Sequence, residues 1–323
     1  MFGGEDMSCY CPLEAYWSKG VNVNGNRYLV FNKKDAAQPD DVLRIPCGRC
    51  IGCRLARSAE WAVRCVHESK LYSHNCFITL TYSPEFLPSD GSLIKKDFQD
   101  FMKLLRYYHS GIDAVVGDTG KISYPIRYFM CGEYGDKSSR PHYHACLFNF
   151  DFPDKELWKT SFSGDKLYTS EILNKIWGKG YCVIGDVTFD SAAYVARYIM
   201  KKINGADAED HYTNYDDVTG EVLSVLVPEY TNCSLGIGKA FIEKFTSDVF
   251  PRDYCVIGDH KFPVPKYYMS WLKKTDICMF EDIKEKRLDF MRSVPQDDDR
   301  RLFDRWKVKQ AQIKLLERNY DND

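Results

Sequence analysis

The chain has 323 residues, of which 44% are hydrophobic and 28% are charged, and its 44 Lys and Arg against 46 Asp and Glu give a formal net charge of −2. This composition is typical of a soluble globular protein and excludes global disorder and a collagen-like fibre. The near-zero charge argues against a uniformly basic surface for nucleic acid, so such binding would depend on local positive patches.

A cluster of cysteines marks residues 1–53. The dipeptide Asn24-Gly25 lies between two apolar runs and predicts a β-hairpin, and two of the cysteines precede it. Three more follow the hairpin at intervals of three residues in a glycine-containing loop. The five cysteines are Cys9, Cys11, Cys47, Cys50 and Cys53.

The chain has 13 cysteines in all, and we expect neither a secretory signal nor a membrane span. A reducing cytoplasm is therefore expected, where clustered thiols indicate metal binding or catalysis more often than disulfides. The overlapping Cys-x-x-Cys turns and the Cys-x-Cys pair predict a structural zinc site. A set of free buried thiols is the alternative.

Hydrophobic periodicity predicts alternating helices and strands in the middle of the chain. The predicted helices are at 54–71, 95–109, 171–177 and 191–203, and the predicted strands are at 75–82, 126–131, 142–148 and 181–187. Their order predicts an α+β fold, with an antiparallel sheet that carries helices on one face in a split βαβ arrangement. Asp190 or Ser191 is expected to cap the last of these helices.

The rest of the chain carries fewer signals. Residues 206–221 contain six acidic residues and no Lys or Arg, which favours a solvated loop. A charged helix is expected at 300–318.

Two histidines in the strand at 142–148 form the first candidate site. Residues i and i+2 of a strand point to the same face, so His142 and His144 project side by side and can share one metal ion. Glu133 lies after the preceding strand and adds an oxygen ligand if the two strands pair. Imidazole with carboxylate suits Mg, Mn or Zn. The alternative is a hydrogen-bonded histidine pair without metal.

Two tyrosines in the helix at 191–203 form the second candidate site. Tyr194 and Tyr198 are four residues apart and therefore share one helix face, which Lys202 continues, with Lys201 close by. A tyrosine hydroxyl, with its usual pKa of about 10, becomes a useful nucleophile when its target phosphate is held and a cation steadies the developing charge. Packing in the core or at an interface is the alternative.

The order of these motifs resembles that of the HUH endonucleases: an apolar strand at 77–82, His-x-His at 142–144, and paired tyrosines with lysine at 194–202. The stretches at 46–54, 131–135 and 191–198 also resemble the replication initiators of gokushovirus-type microviruses, which are small single-stranded DNA phages. This resemblance covers residues 8–250. It implies an RRM-like HUH core and a rolling-circle replication initiation protein.

The resemblance also implies the roles of the site residues. The two histidines, with Glu133 as third ligand, would hold a divalent cation, Mg or Mn, against the scissile phosphate. Tyr194 and Tyr198 would be the nucleophiles, one of them leaving a 5′-phosphotyrosine link and freeing a 3′-OH primer. Lys202 or Lys201 would steady the phosphate.

The DNA itself would be single-stranded at a replication origin. A basic stretch, +3 across residues 49–70, supplies four candidate DNA-binding residues. They are Arg49, Arg54, Arg57 and Arg64. No nucleotide-binding P-loop motif is present, so the initiator would depend on a host helicase and a host DNA polymerase in the bacterial cytoplasm, without a membrane partner.

Three segments follow from this interpretation: a cysteine-rich segment at 1–53, an endonuclease core at 54–205, and an acidic insert with an accessory region of unassigned role at 206–323. Two other hypotheses remain open. One is a non-catalytic module that binds single-stranded nucleic acid on its sheet and carries structural zinc. The other is an HUH transposase, although such enzymes usually carry a single tyrosine.

Overall fold

The structure is a computed structural model that describes most of the chain. The described residues are 9–23, 25–117, 119–135, 139–161, 164–197, 207–216, 218–293 and 297–314. They form two compact units, and the boundary between them falls within the first helix. The larger unit is Arg57–Met291, and the smaller one comprises the described parts of Glu5–Ala56 and Arg292–Leu316.

Helices and strands alternate along the chain. The helices are α1 Ile51–Ser69, α2 Lys95–Tyr108, α3 Glu171–Trp177, α4 Phe189–Arg197, α5 Asp207–Tyr212, α6 Lys239–Lys244, α7 Thr246–Val249, α8 Lys266–Thr275, α9 Ile277–Ser293 and α10 Asp299–Lys314. The strands are β1 Leu13–Val21, β2 Arg27–Val30, β3 Leu43–Ile45, β4 Asn75–Tyr82, β5 Val115–Val116, β6 Ile122–Ser123, β7 Arg127–Tyr134, β8 Pro141–Phe148, β9 Glu156–Thr160, β10 Lys166–Thr169, β11 Gly180–Gly185, β12 Thr213–Tyr215, β13 Val222–Val225, β14 Tyr230–Cys233, β15 Tyr254–Ile257 and β16 His260–Pro263.

The smaller unit contains a three-stranded antiparallel sheet in the order β2-β1-β3. The pairing of β1 with β2 confirms the hairpin that the sequence predicted, although Asn24 lies outside the described residues. Arg44 in β3 donates hydrogen bonds to the Asp297 carbonyl and the Asp299 carboxylate, which ties this sheet to the start of α10.

The larger unit is built on a seven-stranded antiparallel sheet in the order β14-β7-β8-β4-β11-β10-β9. The four strands that the sequence predicted are its centre, so the α+β class with an antiparallel sheet is confirmed. Strand β7 runs to Tyr134, three residues beyond the predicted end. This extension matters because it carries Glu133 into the sheet.

Helices cover both faces of this sheet rather than the single face that the sequence predicted. Tyr143 and Leu80 on one face pack with α2 and α3, whereas Phe129 and Cys146 on the other face pack with α4 and the second half of α1. The reason is that all eight residues of β8 are buried, so neither face of its centre is left to solvent.

The acidic segment is more ordered than expected. The prediction of a solvated loop at 206–221 is wrong for its described part, which contains α5 and most of the hairpin β12-β13. Tyr212 anchors the segment, because its buried ring places its hydroxyl on the carboxylate of Glu229. Within the described residues, no helix combines the length and the apolar character needed to cross a membrane.

A buried ion pair holds the end of α1 to the sheet. Glu68 is 1% exposed, pairs with Arg127 and accepts the backbone N–H of Gly238 at 2.7 Å. Removing the carboxylate leaves both donors without this acceptor. We therefore expect Glu68→Ala to lower the free energy of unfolding by about 3 kcal/mol, measured by chemical denaturation. Glu243→Ala, which removes only a surface pair with Lys239, should change it by less than about 1 kcal/mol.

Candidate nuclease site and cysteine cluster

The predicted histidine pair lies at the centre of the seven-stranded sheet. Strands β7 and β8 do pair, with Glu133 directly opposite His142, and His144 lies opposite Thr79 of β4. All four side chains are buried on the same face of the sheet. The register of three strands thus gathers two imidazoles, a carboxylate and a hydroxyl.

Hydrogen bonds orient both imidazole rings. The Nε2 atom of His144 lies 2.7 Å from a Glu133 oxygen, and its Nδ1 atom lies 3.0 Å from the Thr79 hydroxyl. The Nδ1 atom of His142 lies 2.7 Å from the Arg140 carbonyl oxygen, which can only accept. His142 therefore carries its proton on Nδ1, which leaves a lone pair on Nε2 when the ring is neutral.

The donor set fits a divalent cation. Ligand atoms at about 2.1 Å from one ion and at right angles to each other lie about 3 Å apart, close to the 2.7 Å between His144 and Glu133. The two imidazole rings are nearly parallel, with centroids 6.3 Å apart. His142 would therefore move closer to the other two groups around a shared ion. Thr79 can accept or donate, so its hydroxyl supports either tautomer of His144.

Tyr194 joins the histidines from α4. Its ring is 4% exposed and meets His144 edge-on, with centroids 5.0 Å apart and planes at 85°. The start of α4 is fixed by a reciprocal cap, in which Thr188 and Ser191 each accept the other's backbone N–H through a side-chain oxygen. The N-cap is thus Thr188, not Asp190 or Ser191 as the sequence indicated.

The structure therefore brings one predicted tyrosine to the predicted metal ligands. Three other predicted site residues, Tyr198, Lys201 and Lys202, lie outside the described residues.

Four of the five N-terminal cysteines meet in the smaller unit. The sulfur atoms of Cys9, Cys47, Cys50 and Cys53 all lie within 4.8 Å of one another. This set could hold a metal such as zinc. Cys11 is exposed and is not part of the group.

The environment of the cysteine cluster separates its thiols. Burial raises the pKa of the Cys50 thiol, but backbone N–H groups of Cys53 and Tyr10 and neighbouring thiols lower it further, to about 7. Burial and hydrogen bonds from neighbouring thiols raise the pKa of Cys53 well above its usual range. Of the four sulfurs, Cys50 is thus the one that most readily becomes a thiolate.

The four candidate DNA-binding arginines differ in their surroundings. Arg49 and Arg57 are exposed, and Arg54 is half-buried. The guanidinium of Arg64 lies between the rings of Trp61, at 4.0 Å, and Tyr267, at 4.2 Å. Arg64 therefore fixes α1 to α8 within the larger unit.

Sequence reasoning missed two of the groups that orient the histidines. Thr79 belongs to a strand that carried no assigned role, and the contribution of Arg140 is its backbone carbonyl. The one available signal was alternation in β4, which puts Thr79 on the same face as Phe77.

A family model of replication-associated proteins of the ORF2 type matches residues 75–203, the segment that contains both histidines and Tyr194. The chain is 36% identical to Replication-associated protein VP4 of Bdellovibrio phage phiMH2K, over 83% of this chain and 78% of that protein. The chain belongs to the microvirus-type family of replication-associated proteins.

Other members of the family extend the comparison. Replication-associated protein ORF2 of Spiroplasma virus 4 is 34% identical over 87% of this chain and 86% of its own length. Replication-associated protein ORF4 of Chlamydia phage 1 is 26% identical over 71% of this chain and 54% of its own length. No solved structure matches the chain. The predicted resemblance to microvirus replication initiators is thus confirmed at the level of the family.

Proposed function

We propose that this replication-associated protein is a metal-dependent, sequence-specific endonuclease and ligase of single-stranded DNA that starts rolling-circle replication. The observation that carries the proposal is the contact between Tyr194 and His144, which is itself bonded to Glu133. A candidate nucleophile thus adjoins a candidate metal-ligand set in one buried part of the sheet.

The proposed reaction is a transesterification. The hydroxyl of Tyr194 or Tyr198 loses its proton and attacks phosphorus at the origin, so a Tyr O–P bond forms while the P–O3′ bond breaks. The leaving 3′ oxygen takes up a proton and becomes the primer for a host polymerase. The second tyrosine cuts again after one round of synthesis, and a free 3′-OH then displaces a tyrosine to rejoin the DNA. The 5′-phosphotyrosine link conserves the bond energy, so no nucleotide is hydrolysed.

His142, His144 and Glu133 would hold the divalent cation, Mg or Mn. The chemistry supplied by such an ion is polarisation of a phosphate oxygen. The Arg140 carbonyl keeps the Nε2 atom of His142 available as a ligand, and Thr79 orients His144. Lys201 and Lys202 are proposed to steady the charge on the phosphate, and the exposed Arg49 and Arg57 to contact the DNA backbone.

Thr79 gives a direct test of this arrangement. Thr79→Val keeps the side-chain shape but removes the hydrogen bond to His144, so we expect Mn²⁺ affinity to fall about 10–100-fold. Thr79→Ser keeps the hydroxyl and should retain affinity close to that of the wild type. Titration of Mn²⁺ against the rate of DNA cleavage measures both. Equal losses in the two variants would mean that the methyl group, not the hydroxyl, is what matters.

The proposed function is tested by mixing the protein with Mn²⁺ and labelled single-stranded DNA that carries the origin. The expected result is a protein–DNA adduct that survives denaturation, together with a shorter labelled strand, and both disappear in EDTA. A non-catalytic binding module would shift the DNA in a native gel but never cut it. The absence of both adduct and cleavage with authentic origin DNA in Mn²⁺ and in Mg²⁺ would reject the nuclease.

A further inference from the structure

The cysteine cluster brings together three separate parts of the chain in the smaller unit. Cys9 precedes β1, Cys47 follows β3, and Cys50 and Cys53 flank the first residues of α1. We propose that these four cysteines bind one Zn²⁺ ion in a closed, tetrahedral thiolate site. This site goes beyond the proposed nuclease function, because a four-thiolate shell leaves no open position for a substrate.

The spacing of the sulfur atoms fits one central ion. At a Zn–S distance of about 2.3 Å, the edges of a tetrahedron of sulfurs are about 3.8 Å long. The sulfurs of Cys9 and Cys50 are 3.8 Å apart, and all four lie within 4.8 Å of one another. A disulfide would need about 2.05 Å, so the cluster is not a pair of crosslinks.

Backbone N–H groups already point at the sulfurs. The N–H of Cys47 donates to Cys9 at 3.2 Å, that of Cys50 donates to Cys47 at 3.2 Å, and that of Tyr10 donates to Cys50 at 3.4 Å. Such donors stabilise thiolates and fix the direction of each ligand. They distinguish the cluster from small apolar core residues.

The remaining cysteines provide the contrast. Cys65 and Cys146 are fully buried within the apolar core of the larger unit, as expected of thiols that only fill space. The four clustered cysteines are half-buried and lie at a loop and a helix start, where a small sheet has little core of its own. An ion there would tie the N-terminal segment to the start of α1.

Zinc content of the full-length protein is the first test. We expect about one zinc per chain by mass spectrometry after exhaustive dialysis, and less than about a tenth of that in Cys9→Ser and Cys53→Ser. Cys11→Ser is the matched control, because Cys11 is nearby in sequence but outside the cluster, and it should retain the zinc. His144→Ala should retain it too, since the nuclease site is separate.

Cobalt substitution of the wild type keeps the test sharp if a cysteine variant fails to fold. Four thiolates around Co²⁺ give intense tetrahedral d–d bands and thiolate-to-metal charge transfer. A wild type that holds no zinc and gives no such spectrum would overturn the proposal, as would bound iron or equal zinc loss in Cys11→Ser. DNA cleavage without bound zinc would leave the nuclease intact while removing this site.

Discussion

The double variant Tyr194→Phe, Tyr198→Phe is expected to form no covalent adduct with origin DNA and to cut it more than about 10⁴-fold more slowly than the wild type. Phenylalanine keeps the ring that packs against His144 but lacks the oxygen that would attack phosphorus. Loss of a covalent nucleophile has effects of this size in other enzymes. Binding of the same DNA, measured by gel shift, should change by less than about twofold.

The single variants separate the two tyrosines. We expect one of them to lose the first cleavage and the other to lose only the later cleavage and rejoining, and peptide mapping of the DNA-linked residue identifies which. Tyr181→Phe, an exposed tyrosine on β11, is the control and should cut at the wild-type rate. An adduct that persists in the double variant would assign the nucleophile to another residue.

Local patterns were enough to predict the central elements of the fold. Strand β4 and helix α3 have the bounds that the sequence predicted, because period-two and period-3.6 patterns there agree with clear stop signals. The i, i+2 rule likewise put His142 and His144 on one face, as the structure has them. Both features depend on a few neighbouring residues.

Features that depend on strand register were harder to predict. The pairing of Glu133 with His142 needs β7 to continue into a segment that reads as a polar turn. Thr79 meets His144 only because β4 and β8 pair in one particular register. Cys11, two residues from Cys9, illustrates the same limit, because the spacing of cysteines does not reveal which of them turns toward the cluster.

His144→Ala is expected to slow metal-dependent cleavage by about 10³-fold at saturating Mn²⁺. The substitution removes a proposed ligand and takes from the buried Glu133 its hydrogen bond to the imidazole, which misplaces a second ligand. Loss of the ion's action on the phosphate accounts for several kcal/mol of the barrier. Single-turnover cleavage at increasing Mn²⁺ separates weaker binding from a slower chemical step.

Two controls decide whether the ligand or the fold is lost. His260→Ala removes an exposed histidine on β16 and should leave the rate unchanged. Added imidazole should restore part of the activity of His144→Ala, because it can occupy the space that the ring vacates beside Glu133 and Tyr194. A wild-type rate in His144→Ala would mean that the ion binds elsewhere, whereas loss without imidazole rescue and with a lowered melting temperature would assign His144 a role in folding alone.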